Sequence, residues 1–431
     1  MKKINPPAVS ASNKLIQVFV DMKTALMEKT FPVRCLFIFW LLGPFILLIE
    51  RTPGDLWVSF LAIAFVLRSC VRRDGSWLRA GWVKATFVFW GVCLFSSIMS
   101  SHVGYSLGEA IVWIRFPLFA MATVFWLAVD RRLQFGMLAL IGVGMLIMCA
   151  ILLAEFFLFG LVGGNRLSWP YGDLVPGSYL SKASMPGFVV LVALATSSRS
   201  RTSLLAGFLS AFTLFVSFLT GERINFIMRL CGSLLAGLSW RPSWRRLLLI
   251  NMAVFVSVGL AAAALPTAAK RYSTDLIDAI SMSQKSEHFR VIAGGLVAFE
   301  QSPLIGIGPG NYTLLSPEIL KNRPDRKIDV HPHNFYVQLL AETGILGFAA
   351  GVFFIGSIVA TTLRHSWKNR DHIVCATAYI APLAVFWPIA STSDFFGQWN
   401  NIFMWSGLAM SLAATNISSE RAVVAKSVKI P

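Results

Sequence analysis

The chain has 431 residues, 56% of them hydrophobic and only 14% charged, with a formal net charge of +17. A soluble fold must keep its surface polar and cannot bury that much apolar side chain, so a water-soluble enzyme or nucleic-acid-binding domain is excluded. Apolar runs of about 17 to 25 residues recur along the chain, the length that crosses about 30 Å of hydrocarbon, so most of this protein is solvated by lipid.

A basic, mixed tail (residues 1–31) precedes the first apolar run, which lacks a cleavage-type ending and reads as a membrane span, not a removed signal peptide. Spans are expected at 32–49, 55–71, 83–99, 109–129, 134–161, 184–198, 203–220, 224–240 and 247–266. A long hydrophilic loop, 267–332, follows, then spans at 334–361, 373–390 and 401–417 within the segment 333–417, and a tail, 418–431. The expected fold is an all-α, polytopic integral membrane protein with about twelve transmembrane helices and one long extracytoplasmic loop. All six cysteines fall in or beside apolar segments, so no disulfide framework is expected.

Lys and Arg favour cytoplasmic loops, which fixes the orientation. With the N-terminus inside, the cytoplasmic segments carry 24 basic residues, against four in the short loops opposite: Arg51, Arg166, Lys182 and Arg223. Both termini are therefore expected in the cytoplasm and the long loop outside it. That loop holds eight basic and seven acidic residues, and Tyr272–Met282 and Glu287–Gln301 have helical apolar spacing, with Pro303 ending the second. No internal repeat is long enough to suggest an inverted-repeat transporter.

The sharpest segment runs His333-Asn334-Phe335-Tyr336-Val337-Gln338-Leu339-Leu340-Ala341-Glu342-Thr343-Gly344-Ile345-Leu346-Gly347. It sets an imidazole, which can take and return a proton near neutral pH, where the long loop enters a membrane helix. On the residues alone, that ring could equally cap or anchor the span. Asp329-x-His331-x-His333 contains metal-ligand residue types, but Pro332 restricts the backbone and no fourth ligand is evident, so no metal is assigned. Gly306-Ile307-Gly308-Pro309-Gly310 lacks the context of a dinucleotide loop and reads as a backbone turn. Glu109, Arg115, Glu155, Arg229 and Glu342 lie within spans and are expected to face the bundle interior.

His-Asn, nine residues, then Gly-x-x-Gly resembles the signature of the O-antigen ligase family, a superfamily that includes O-antigen polymerases and protein O-oligosaccharyltransferases. The long extracytoplasmic loop ahead of it is also that family's architecture. Arg223, in Leu219-Thr220-Gly221-Glu222-Arg223, resembles the family's Gly-x-Arg element, with Glu222 in place of the usual small residue. Arg290, ahead of Pro303-Leu304-Ile305-Gly306, resembles the family's arginine before a Pro-Leu-x-Gly-x-Gly turn.

The resemblance implies a fold like the multi-span, lipid-donor (GT-C-like) glycosyltransferases of the bacterial inner membrane. It implies a polysaccharide carried from undecaprenyl pyrophosphate to a sugar hydroxyl of lipid A–core on the periplasmic side, by inverting displacement and without metal or other cofactor. His333 would share the acceptor proton, and Arg223 and Arg290 would hold the pyrophosphate, since a guanidinium grips phosphate oxygens bidentately. Asn334, Lys182, Arg166 and Asp394 are further candidate substrate contacts. The implied partners are the lipid-linked glycan, the lipid A–core acceptor and membrane lipids, not nucleic acid. A polymerase or protein O-oligosaccharyltransferase of the same superfamily, or a polysaccharide flippase, would share the topology.

Overall fold

The computed structural model describes residues 11–161, 166–172, 176–197, 200–240, 243–264, 270, 273 and 286–417. The described residues form helices and no strand. They are α1 (Ala11–Met27), α2 (Phe31–Leu41), α3 (Arg51–Arg72), α4 (Gly81–Ile98), α5 (Val103–Leu127), α6 (Arg131–Phe159), α7 (Pro176–Ala183) and α8 (Met185–Ser197). Then come α9 (Arg201–Leu219), α10 (Arg223–Ser239), α11 (Trp244–Ala264), α12 (Glu287–Gln301), α13 (Asn311–Ile319), α14 (Phe335–Lys368), α15 (Ile373–Val385) and α16 (Gln398–Ala413).

Each of the twelve expected spans coincides with a helix or a broken pair. Seven described helices are long and apolar enough to cross a membrane, and eight if the bent pair α7–α8 is one span. The rest fall short for local reasons. A break at Leu42 stops α2, α10 has 17 residues, and α15 is interrupted at Ala378–Tyr379. Part of the expected N-terminal tail is helical, as α1, which packs against α6. Helix α12 spans Glu287–Gln301 as its periodicity predicts, while Tyr272–Met282 and the tail 418–431 lie outside the described residues.

The core is aromatic where α4, α5, α14 and α16 converge. Trp113 is 1% exposed and meets Phe89, Phe354, Phe395, Phe396 and Trp405 at centroid distances of 5.4 to 6.3 Å. Lipid gives no hydrophobic drive between helices, so such van der Waals packing is what holds the bundle together. Three of the charges inside spans show how the bundle accommodates them. Arg115 pairs with Asp55 at 2.6 Å. Glu155 accepts from the Ser168 and Trp169 N–H groups, and Arg229 donates to the Leu180 carbonyl and Thr213 hydroxyl while lying 4.0 Å over the Phe188 ring.

Helix α14 is broken at Gly344, whose φ is +63°. A broken helix in lipid leaves backbone groups without partners unless other protein supplies them. The turn at Pro303–Gly308 does so: Ile345 N–H donates to Pro303 O (2.9 Å) and Leu346 N–H to Leu304 O (3.2 Å). In return Ile307 N–H donates to Ala341 O (3.1 Å) and Gly308 N–H to Glu342 O (2.8 Å). The two backbones lie too close for side chains. A Cβ at Gly344 would fall 2.4 Å from Leu304 C, and one at Gly306 (φ +76°) would fall 2.3 Å from Glu342 C. Replacing Gly344 or Gly306 with Ala should therefore destabilise the protein by about 2–3 kcal/mol. Gly356→Ala, at a position with nothing within 4 Å of the added carbon, should be near neutral. Thermal unfolding in detergent at matched expression checks both.

Candidate active site

One end of the bundle opens into a cavity of about 1220 Å³. Its walls come from helix ends and loops far apart in sequence: Arg51 at the start of α3, Arg166, the α7 turn, Gly221–Ile227, His288 and Ile292 of α12, Val330–Val337, and Pro388–Asn400. Six of the seven sequence-predicted site residues line it: His333, Arg223, Asn334, Lys182, Arg166 and Asp394.

His333 precedes α14 with a left-handed backbone, φ +55°. For a non-glycine residue that costs on the order of 1 kcal/mol. It is held there by the Thr392 N–H, which donates to its carbonyl at 2.9 Å, and by the helix cap that follows. Asn334 is that cap: its Oδ1 accepts from Tyr336 and Val337 N–H (3.0 and 3.2 Å), and its Nδ2 donates to Pro388 O (2.8 Å). Its amide thus fixes the α14 start, while the residue also lines the cavity.

The His333 Nε2 lies 3.4 Å from Asp329 Oδ2, a long contact that favours the proton on Nε2 and leaves Nδ1 as the acceptor. Asp329 entered the sequence reading only as a metal-type residue, yet here it orients the imidazole. Two further histidines surround His333, with ring centroids at 4.2 Å (His331) and 6.3 Å (His288). Burial holds all three below the ordinary histidine pKa, so each ring is neutral at pH 7. For His333 the nearby His331 adds to the lowering, while Asp329 opposes it. Among the described residues no group of three His, Cys, Asp or Glu side chains converges as a metal-ligand set.

The cations are arranged around this ring. Arg223 opens α10, and its Nη1 is buried with no hydrogen-bond partner among the described residues. Glu222 accepts from the Gly177 N–H and the Asn225 amide, pinning the α10 start to α7. Lys182 sits on the turn of α7, within hydrogen-bond reach of Ser178 and Asn400. The turn is wedged in place by Gly407, where a Cβ would fall 2.1 Å from the Lys182 carbonyl oxygen. Arg51, which the sequence reading counted only as a loop charge, donates to Gln398 at 2.8 Å and lines the cavity. Asp394 does not reach His333 by a hydrogen bond. Its Oδ1 accepts from Gln338 Nε2 (2.6 Å) and from the Phe396 N–H (3.0 Å).

Arg290 departs from the expectation. It is not on the cavity wall: its Nε donates to Asp325 O (3.2 Å) and its Nη2 to Pro324 O (2.9 Å) and Arg326 O (3.3 Å). The guanidinium fork holds the strap that leads to Asp329, His331 and His333, and Lys327 N–H returns a bond to Arg290 O. An ammonium cannot reproduce that three-carbonyl fork. On the activity that the resemblance implies, Arg290→Lys should cut turnover about tenfold while leaving donor affinity within about twofold, whereas Arg223→Lys should weaken donor binding about tenfold, roughly 1.4 kcal/mol. Binding and turnover measured separately on the two variants check this. Equal weakening of donor binding by both would return Arg290 to the phosphate clamp.

No curated protein matches the chain. Residues 186–352, from α8 past the break in α14, match the family model described as O-antigen ligase. That stretch takes in Arg223, Arg290, His333 and the paired turns at Gly306 and Gly344. This region of the chain belongs to the O-antigen ligase family.

Proposed function

We propose that the protein is an O-antigen ligase, transferring polysaccharide from undecaprenyl pyrophosphate to a sugar hydroxyl of lipid A–core at the periplasmic face of the inner membrane. The observation that carries this reading is the composition of one cavity. It joins four cations (Arg51, Arg166, Lys182 and Arg223) to a neutral, carboxylate-oriented imidazole. Both carboxylates on its wall, Glu222 and Asp394, are already engaged in hydrogen bonds, so the net field attracts a polyanion. Its lining segments also coincide with those that charge counting assigns outside the cytoplasm, which supports a periplasmic site and cytoplasmic termini.

In this mechanism Arg223 and Lys182 bind the pyrophosphate and stabilise the charge that develops as it leaves. His333 Nδ1 removes the acceptor proton as that oxygen attacks the anomeric carbon from the opposite face, which inverts the centre. The pyrophosphate is already a good leaving group, so the scheme needs no metal.

General-base help is typically worth about 10² to 10⁴ in rate, roughly 3 to 5.5 kcal/mol. His333→Ala should insert and bind donor yet transfer almost no glycan to lipid A–core. Near-normal transfer by that variant would sink the mechanism, and elongation of the donor without lipid A–core would favour a polymerase. A reporter fused near Asn322 should be active outside the cytoplasm and one after Lys426 inside, and the reverse at either point would displace the site.

A further inference from the structure

His331 has no part in the reaction as proposed, yet its ring is in direct contact with that of His333, 4.2 Å between centroids at 52°. Both its ring nitrogens are buried and make no hydrogen bond of good geometry among the described residues, although the Thr392 backbone adjoins them. A buried imidazole with unmet nitrogens is less stable there than an apolar ring, so its presence requires a role. The local backbone accounts for the contact. Pro332 disfavours a helical backbone at His331, and the left-handed turn at His333 follows directly, bringing the two rings into contact. The strap carrying both is tied down by Thr313, which donates to Val330 O (2.7 Å), and by Ser316, which donates to Asp329 O (3.1 Å).

We propose that His331 is a positioning residue for the His333 base: its ring is the platform that fixes the His333 imidazole at the cavity, and the two rings together hold at most one proton. The inference rests on His333 acting as the base. The groups facing the pair are Asp329 on the same strap, Asp394 from the 387–397 loop, His288 from α12 and Arg223 from the start of α10. A second proton would place two cations 4.2 Å apart in a site that already holds Arg223. In turnover the acceptor O–H proton passes to His333 as the new glycosidic C–O bond forms. The anomeric C–O bond to the carrier breaks with its electron pair going to the pyrophosphate, and the ring then releases its proton to water.

The sign of the pH effect follows. A base works unprotonated, so the rate rises with pH through the His333 pKa. His331 holds that pKa below its ordinary value, by adding to the burial and by repulsion when it is charged. Removing His331 lets the pKa rise, so the rising limb moves to higher pH.

The test uses the full chain in membranes, with undecaprenyl-pyrophosphate glycan and lipid A–core, reading carrier release from about pH 5.5 to 9. His331→Ala should lower kcat about tenfold or more, shift the limb alkaline by about half a unit or more, and leave the donor KM within about twofold. His331→Phe, which keeps a ring, should restore most of the lost kcat at high pH. A His331→Ala enzyme with wild-type kcat, or with the limb unmoved, would overturn the proposal, as would a Phe variant no faster than the Ala variant. His333→Ala separates the two claims: if it still transfers glycan, the base assignment itself fails, whereas a dead His333→Ala beside a normal His331→Ala removes only the role of His331.

Discussion

The docking of one backbone onto another, the Pro303–Gly308 turn against the break in α14, is the constraint on which the site depends. A helix interrupted in lipid must have its freed N–H and C=O groups met by protein. Here four inter-segment hydrogen bonds meet them, and the Ser96 hydroxyl, 2.6 Å from Ile305 O and 3.0 Å from Glu342 O, ties in α4. The effect travels outward through side chains. The side chain of Glu342, whose carbonyl is part of the dock, accepts from the Tyr312 N–H and from Gln338, and Gln338 in turn holds Asp394 and the Phe395 N–H. The dock therefore sets the first turns of α14 and the loop opposite, which together frame His333.

The charges divide into two populations by what they touch. Arg115, Glu155 and Arg229 find partners within the bundle and close gaps in its backbone or neutralise each other. Arg229 shows this most clearly, since its guanidinium takes up the Leu180 carbonyl freed where α7 departs from regular helix. Arg51, Arg166, Lys182 and Arg223 instead line a single cavity. A structural ion pair needs no cavity, whereas a site for an anionic substrate does.

Much of this was legible in the sequence, and what escaped has physical causes. Apolar length located the helices of the expected spans, because burial in lipid demands it of each one, but it missed α1, α7 and α13, which are short or polar. It could not show where a span bends, since Gly43–Pro44 and the α7–α8 elbow of 62° depend on neighbours such as Gly407 that lie far away in the chain. The turn at Gly306–Gly310 was readable because its role is local to the backbone. Asn334 carried a helix-start signal, an Asn directly ahead of an apolar run, and capping is the role it fills. An arginine near a phosphate site and one gripping carbonyls look the same in sequence, so the fork of Arg290 on the 324–326 carbonyls appears only in the fold. His288, Arg51 and the orienting role of Asp329 appear only once the elements are packed together.

The excess of positive charge in the cavity has a consequence for turnover. On the proposed reading, the lipid carrier leaves with one more ionisable phosphate oxygen than it had as a donor. A concavity lined by Arg51, Arg166, Lys182 and Arg223 then attracts the spent carrier more strongly than the loaded one. The field that helps the bond to break also slows the departure of the leaving group, so product release becomes a candidate for the slow step. Such an enzyme would run only as fast as its membrane is cleared of free pyrophosphorylated carrier, and a build-up of that lipid would throttle it.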